Sequence, residues 1–281
     1  MDKFNTLVNL TRINKPIGIF LLLWPTLCAI FLASEGIPNI KILIIFILGT
    51  ILMRSAGCVA NDLADRNLDS FVERTKDRPI TSGLVSIKDA VILLFALLLS
   101  SFFLVMQLNN LTIFISFVAL LFLLTYPLTK RFFSIPQLYL GVTFGFGILM
   151  AFSAIKNTIS LDAQILFISN IFWVFAYDSH YAISDMKDDK KLNIHSAPLT
   201  FNNKIILMVT LSYFLMFLGL SIIGILKEFT ISFYILLGLA IIVSMYGCFE
   251  GRHMEPNKNF KAFLRNHYVG FIIFAGFFSQ I

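Results

Sequence analysis

A dense patch of charged residues lies between residues 61 and 83 of a sequence that is otherwise largely apolar. The patch opens with Asn61, Asp62, Asp65 and Asp69 and then mixes acidic and basic side chains. Ionisable groups beside membrane-length apolar runs are costly to place, so they usually mark a functional site. Carboxylates at this density favour binding of a divalent cation with oxygen ligands, above all Mg²⁺.

A second acidic cluster occupies residues 178–189 and includes Asp178, Asp185, Asp188 and Asp189. It follows the sixth apolar run of the chain, as the first patch follows the second run. Because an even number of membrane-length runs separates the two clusters, both should emerge on the same side of a bilayer. We therefore expect the two clusters to face one another.

Helical spacing selects the side chains of each cluster that share a face, since residues three, four or seven positions apart lie on one side of a helix. In the first cluster these are Asn61 or Asp62, then Asp65 and Asp69. In the second they are Asp178, Asp185 and Asp188 or Asp189. Two such faces would repel without a cation, and Mg²⁺ typically joins a few carboxylates to substrate phosphates. The alternative is a pair of solvated helix ends with salt bridges to nearby lysines.

Basic residues on the same side of the predicted membrane could neutralise diphosphate oxygens. They are Arg66, Arg74, Lys76, Arg78, Lys130 and Arg131. Each could equally be a topological determinant that does not touch a substrate. Arg54 differs, because it lies inside an apolar run, where an arginine needs an acidic partner or an anionic ligand.

The composition is that of an integral membrane protein: 58% of the 281 residues are hydrophobic and 14% are charged, against about 25% charged residues in soluble domains. The net charge of +6 does not predict a nucleic-acid partner, because the basic residues fall in loops between apolar runs. The sequence contains 31 phenylalanines. We expect these side chains either to face lipid or to line a cavity. We expect one integral membrane domain over residues 1–281.

Nine apolar runs have the length needed to cross a bilayer. They are residues 17–34, 40–60, 89–108, 111–126, 136–155, 163–182, 205–225, 229–249 and 264–281. With a cytoplasmic N-terminus, the outer loops carry only Lys41, Lys156 and Lys227, and Arg54 lies within the second run; the other 18 of the 22 Lys and Arg residues lie inside. The positive-inside rule therefore predicts nine spans, an inner working face and a periplasmic C-terminus. Without a long Arg- and Ser-rich presequence, the sequence favours a bacterial inner membrane.

Five sequence blocks resemble the UbiA family of intramembrane prenyltransferases. They are residues 12–18 with 23–26, 53–66, 78–79, 126–131 and 177–189. The pattern Asn-x₃-Asp-x₃-Asp, formed by Asn61, Asp65 and Asp69 and followed by the second acidic motif, is specific for this superfamily. The resemblance covers most of the chain from Arg12 to about Pro198. The last three spans match only in pattern.

The resemblance implies an all-α membrane protein, a nine-helix bundle around a central cavity with the active site at its cytoplasmic side. It implies that Mg²⁺ and a polyprenyl diphosphate bind at a shared set of side chains: Asn61, Asp65, Asp69, Asp178 and Asp185. Lys130 would contact the diphosphate, and Arg12 and Arg54 would be candidates for the carboxylate of an aromatic acceptor. Asp65 and Asp178 would be essential, and Asp185 or Asp188 would remove the ring proton after the ring attacks the prenyl carbocation.

The blocks are most similar to the branch of the family that acts on 4-hydroxybenzoate. Siblings that prenylate haem, a naphthoate or homogentisate remain alternatives, as does an ion-coupled transporter, because acids inside membranes also mark ion paths. Oligomeric state and prenyl length stay open. The chain departs from the family at Asn193, which replaces a glycine, and at His195, which replaces a lysine. Asn tolerates the left-handed backbone that glycine adopts, so the first change should be mild.

Overall fold

Helices account for the regular structure of the protein. The computed structural model describes residues 3–71 and 75–281, and within these ranges it contains α-helices and two short 3₁₀ helices but no strand. The α-helices, in chain order, are α1 Lys3–Thr11, α2 Ile17–Ser34, α3 Ile40–Asp65, α4 Ile87–Val105, α5 Asn110–Thr129, α6 Pro136–Lys156, α7 Leu161–Lys191, α8 Ala197–Phe201, α9 Ile205–Leu226, α10 Ile231–Gly251 and α11 Pro256–Phe278.

Each of the nine predicted apolar runs overlaps one long helix, and three of these helices extend well beyond the predicted run: α3 continues to Asp65, and α7 and α11 are also longer. Helix α7 continues to Lys191 and so includes the whole second acidic cluster, and α11 begins at Pro256. Within the ranges just given, seven helical segments are long and apolar enough to cross a bilayer by length and composition. Helices α7 and α11 are not among them, because both carry polar residues that point into the bundle. The protein is an all-helical, multi-pass membrane protein.

Contacts between connecting segments identify the two ends of the bundle. At one end, Lys156 pairs with Glu35 at 2.7 Å and Lys227 pairs with Asp162 at 2.8 Å. These residues belong to the connections α2–α3, α6–α7 and α9–α10. At the other end, the Arg131 guanidinium donates to the carbonyl of Ala64 over 2.9 Å, which joins the α5–α6 connection to the end of α3. The acidic clusters lie at this second end.

Helix α7 is the centre of the bundle and packs against α6, α9 and α11. The α6–α7 contact is close because Gly141 has no side chain: a Cβ there would lie 2.9 Å from the carbonyl oxygen of Ile171. Buried hydrogen bonds join the other partners, with Asn266 of α11 accepting from Trp173 and from Tyr213, each over 2.9 Å. Cys28, Cys58 and Cys248 are buried and free.

Helices α4 and α5 present most of their apolar surface outward. Only Ala90 and Val105 of α4 are buried, whereas Phe95 and Phe103 are about two-thirds exposed. An exposed apolar face of this size is expected where a helix faces lipid rather than water. The same two helices form one wall of the cavity described next.

Candidate active site

A cavity of about 1380 Å³ opens within the bundle and contacts both acidic clusters. Its volume exceeds that of a typical small-molecule pocket, which is about 300–1,000 Å³. Most of the wall is apolar, contributed by α2, α3, α4, α5, α6 and α11. Eight phenylalanines line it: Phe20, Phe46, Phe102, Phe117, Phe144, Phe146, Phe260 and Phe263. The cavity therefore joins a charged end to a long apolar interior, which suits an amphipathic ligand.

The first acidic cluster lies at the C-terminal end of α3 and lines the cavity together with Asn61. Asp62 and Asp65 are each 1% exposed and Asp69 is 5% exposed. The prediction that one helical face carries all of them is wrong for Asp69, because α3 ends at Asp65 and Asp69 starts a separate 3₁₀ helix. Asn and Asp side chains compete with helical backbone hydrogen bonds, which favours a turn here. The turn still brings Asp69 to the same site.

Two arginines from distant parts of the chain neutralise Asp62 and Asp69. Arg12 contacts Asp62 at 2.5 Å, while Arg78 contacts Asp62 at 3.1 Å and Asp69 at 2.7 Å. Arg12 follows α1 directly and has a φ of 57°, a left-handed conformation that is uncommon outside glycine. Such strained residues cluster at ligand sites, where surrounding contacts hold them in place. The ion pair with Asp62 is one such contact of Arg12.

Lys130, at the end of α5, is a third cation at this cluster, with Nζ 2.6 Å from Oδ2 of Asp65. The other oxygen of this carboxylate, Oδ1, is buried and accepts no hydrogen bond within the described ranges. A buried carboxylate oxygen without a partner costs free energy unless a ligand binds it. Asp65 therefore fits a cation ligand, and oxygen donors are those that Mg²⁺ prefers.

Across residues 3–71 and 75–281, no three His, Cys, Asp or Glu side chains converge tightly enough to hold a metal ion by themselves. This arrangement suits Mg²⁺, which is usually held by one or two carboxylates plus substrate phosphates rather than by a cage made only of protein. The donor set and the open oxygen of Asp65 are compatible with Mg²⁺ bound jointly by protein and diphosphate.

The second acidic cluster lies on about the last four turns of α7. Asp178, Asp185 and Asp189 line the cavity, as helical spacing on one continuous helix predicts. Asp188 does not line it; its Oδ1 is 3.2 Å from Nζ of Lys191 on the solvent side of the same helix. Asp185 is therefore better placed than Asp188 to reach a ligand in the cavity.

The predicted diphosphate-binding residues divide into two groups. Lys130 and Arg78 line the cavity. Arg66, Lys76 and Arg131 are exposed and do not line it, so their geometry fits topological determinants better than ligand contacts. Arg74, the remaining basic residue of this set, lies outside the described ranges.

Arg54, on α3, lines the cavity, and the described part of the chain gives it neither an ion pair nor a hydrogen bond. Its guanidinium carbon lies 5.8 Å from the centroid of the Phe144 ring on α6. Tyr177 lines the same cavity, is 1% exposed, and has a hydroxyl without a partner in the described structure. A cation and a hydroxyl left unsatisfied beside one cavity favour an anionic, hydrogen-bonding ligand.

The segment after α7 carries the two departures from the family pattern. Asn193 has a φ of 53°, so the predicted left-handed conformation is confirmed. His195 lines the cavity, and its backbone N–H donates to the carbonyl of Lys130 over 2.8 Å. This hydrogen bond couples the segment to the residue that pairs with Asp65.

Sequence reasoning did not place His267 or Trp24 at the site, because isolated residues of these types carry no motif. Trp24 Nε1 on α2 donates to Nδ1 of His267 on α11 over 3.2 Å, and His267 lines the cavity. Phe20 stacks against Trp24 and lies 4.7 Å from the His267 ring. Since Nδ1 accepts, the proton of the neutral ring is on Nε2. Only the packing of α2 against α11 reveals this group.

Residues 22–273 match the model of the UbiA prenyltransferase family. The chain belongs to the UbiA prenyltransferase family. A protein of Methylobacillus flagellatus named 4-hydroxybenzoate octaprenyltransferase is 47% identical over 98% of this chain and 93% of its own length. The family model spans both acidic clusters, while the cavity-lining residues between Thr6 and Leu21 precede the matched range.

Solved structures show the same fold for this UbiA-family protein. An apo UbiA homologue from Aeropyrum pernix K1 superposes with a TM-score of 0.81 at 23% identity, over 93% of this chain and 97% of that one. A UbiA homologue from Archaeoglobus fulgidus, bound to GPP and Mg²⁺, superposes with a TM-score of 0.73 at 16% identity, over 98% and 99% of the two chains.

Proposed function

We propose that this protein transfers a polyprenyl group from a polyprenyl diphosphate to 4-hydroxybenzoate, at the ring carbon next to the hydroxyl, in ubiquinone biosynthesis. The observation that carries the proposal is the arrangement of the cavity. Paired carboxylates and cations lie at its charged end, Arg54, which has no ion pair among the described residues, lies in its wall, and the rest of the lining is mostly apolar. A relative that is 47% identical is named for this reaction with an eight-unit prenyl donor.

The diphosphate end of the donor binds at the ion pairs of the first cluster. Arg78 and Lys130 exchange part of their contact with Asp69 and Asp65 for contacts with diphosphate oxygens, since both cations form strong charge-assisted hydrogen bonds. The carboxylates freed by this exchange, together with Asn61, Asp62, Asp178 and Asp185, would hold Mg²⁺. When bound, Mg²⁺ supplies charge neutralisation of the leaving diphosphate.

The apolar interior holds the prenyl chain and excludes water from the reacting carbon. An allylic diphosphate ionises when its leaving group is stabilised, so the fixed charges of Arg78 and Lys130 lower the barrier as charge develops on oxygen. The phenylalanines of the wall stabilise a neighbouring cation through their ring faces. Exclusion of water prevents hydrolysis of that cation before the phenol attacks it.

The acceptor carboxylate binds Arg54, a cavity-lining cation to which the described residues give no ion pair. Arg12, the other candidate for this role, already pairs with Asp62 and belongs to the diphosphate end. Asp185 lines the cavity and takes the ring proton, whereas Asp188 points away from it. Asp65 and Asp178 are required for donor binding and ionisation.

The proposed setting is a bacterial inner membrane crossed by all nine long helices as one domain. The N-terminus and the site face the cytoplasm and the C-terminus faces the periplasm. The exclusion of nearly all Lys and Arg from the Glu35 end of the bundle supports this orientation. Lipid covers the outward faces of α4 and α5.

Purified protein in detergent or nanodiscs, supplied with Mg²⁺ and octaprenyl diphosphate, tests the proposal against a panel of acceptors. We expect prenylated 4-hydroxybenzoate as the main product by mass spectrometry, and little product from homogentisate, a naphthoate or haem. Chelation with EDTA should abolish the product, and added Mg²⁺ should restore it. Preference for another acceptor would assign the protein to a sibling reaction.

A further inference from the structure

Gly18, in the first turn of α2, lies directly against the guanidinium of Arg54 on α3. A Cβ added at Gly18 would lie 2.5 Å from Nε, 2.6 Å from Nη2 and 2.9 Å from Cζ of Arg54. These separations are far inside van der Waals contact. The guanidinium therefore occupies space that only glycine leaves open.

The contact fixes the position of Arg54 from one side. The guanidinium carbon also lies 5.8 Å from the centroid of the Phe144 ring on α6. Because Arg54 has no ion pair or hydrogen bond within the part of the chain that the structure describes, these packing contacts are what hold its head group. Gly18, Arg54 and Phe144 all line the cavity.

The requirement for glycine is local to Gly18 and does not arise from the backbone. Gly18 is helical, so it is not needed for a left-handed conformation. By comparison, a Cβ at Gly238 in the middle of α10 would meet no atom within 4 Å. A methyl group at Gly18 would therefore displace the Arg54 guanidinium beside the cavity, whereas a methyl group at Gly238 would displace nothing.

We propose that Gly18 is a positioning residue for the acceptor: by leaving room for the Arg54 guanidinium against α2, it sets where the carboxylate of the aromatic acceptor binds. This inference rests on the proposed function, because it assigns the carboxylate of that acceptor to Arg54. A guanidinium binds a carboxylate through two parallel hydrogen bonds, which demand a defined position and plane. A methyl group at Gly18 pushes the head group away and loses this alignment.

A Gly18→Ala variant, compared with Gly238→Ala, tests the assignment through inhibition by benzoate and by its neutral analogue benzamide. We expect both compounds to compete with 4-hydroxybenzoate, and the ratio of their inhibition constants does not depend on the amount of active protein. We expect wild type and Gly238→Ala to bind benzoate more tightly than benzamide. In Gly18→Ala the ratio of the two inhibition constants should fall by about tenfold. The KM for the prenyl diphosphate should stay unchanged in both variants.

Binding of radiolabelled 4-hydroxybenzoate to the same preparations, with a thermal unfolding curve, covers the case of an inactive variant. A wild-type benzoate preference in Gly18→Ala overturns the assignment. A Gly18→Ala protein that does not fold also overturns the assignment. The proposal expects the added methyl group to displace only the flexible end of the Arg54 side chain, which should leave the fold intact. If wild type itself does not prenylate 4-hydroxybenzoate, the proposed function fails instead, so the two failures are distinguishable.

Discussion

Asp65 at the end of α3 and Lys130 at the end of α5 form an ion pair of 2.6 Å although 65 residues separate them in the chain. The pair uses one oxygen of Asp65 and leaves the other buried without a hydrogen-bond partner in the described structure. A carboxylate with one oxygen in an ion pair and the other without a partner suits a site where the ion pair is partly replaced by contacts with a bound ligand. The lysine compensates the charge of Asp65 before binding and becomes available to the diphosphate afterwards.

Replacing Asp65 or Asp178 with alanine should abolish prenyl transfer while the protein still inserts into the membrane. We expect a loss of at least about 100-fold in kcat/KM, because each change removes a charged group from the diphosphate end. Product mass and membrane fractionation provide the measurement. Asp188→Ala should keep most of the activity, since Asp188 pairs with Lys191 outside the cavity. Full activity of Asp65→Ala would contradict the site assignment.

Lys130→Met should raise the KM for the prenyl diphosphate and leave the KM for 4-hydroxybenzoate close to that of wild type. Methionine is similar in length to the lysine side chain but lacks its charge. The substitution therefore removes the cation that pairs with Asp65 and that we propose binds the diphosphate of the prenyl donor. Steady-state kinetics with each substrate varied in turn measures the effect. Arg131→Met is the matched control, because Arg131 is adjacent but exposed and donates to the Ala64 carbonyl. Equal effects of the two changes would argue against a specific role for Lys130.

Arg54→Lys should weaken binding of 4-hydroxybenzoate by about tenfold or more, since an ammonium cannot form the paired hydrogen bonds of a guanidinium. Donor binding should change little, because Arg54 lies about two helical turns before Asp62 on α3. Competition by benzoate against 4-hydroxybenzoate gives a direct measure. The same change at Arg66, which is exposed and bonds to the Leu63 carbonyl, should be neutral. If Arg54→Lys bound 4-hydroxybenzoate as tightly as wild type, the result would contradict the proposal that Arg54 binds the acceptor carboxylate.

The ion pairs at the opposite end of the bundle predict a small pH dependence of stability. Hydrogen bonding and attraction by Lys156, and then by Lys227, hold the pKa of Glu35 below its ordinary value of 4.5. A lowered pKa means that the ionised carboxylate stabilises the fold at neutral pH. This contribution is lost as the pH falls below 4.5 and through the lowered pKa. It should be under about 1 kcal/mol, because Glu35 is well exposed to solvent.

Thermal unfolding of Glu35→Gln against wild type measures this contribution. We expect the variant to be slightly less stable at pH 7 and the difference to shrink at pH 3.5 or in high salt. Glu228→Gln is a suitable control, because the described residues give Glu228 no ion pair. A difference that grows as the pH falls would show that Glu35 acts in another way.

Features that depend on neighbouring residues in the chain were predictable from the sequence. The spacing of Asp178 and Asp185 predicted one face, and the structure confirms that both lie on continuous α7 and line the cavity. Asn193 adopts the predicted left-handed conformation. Each of these follows from the steric limits and helical period of a short segment.

Features that depend on how the helices pack against one another were not predictable from the sequence. The sequence did not reveal that α3 ends before Asp69, that Arg12 pairs with Asp62, or that His267 accepts a hydrogen bond from Trp24. The two residues in this hydrogen bond are 243 positions apart. No local rule sets the register of α2 against α11, because many side chains across the interface determine it together.

The sequence alone determined that the protein is a helical membrane protein with two acidic clusters on one side, because hydrophobicity and helical period act along the chain. The tertiary structure decided which carboxylate meets which cation, and it left Arg54 unpaired within the described residues, against Gly18. Charge pairs form between whichever side chains the packing brings within a few ångströms, and that distance is a property of the assembled bundle rather than of any segment.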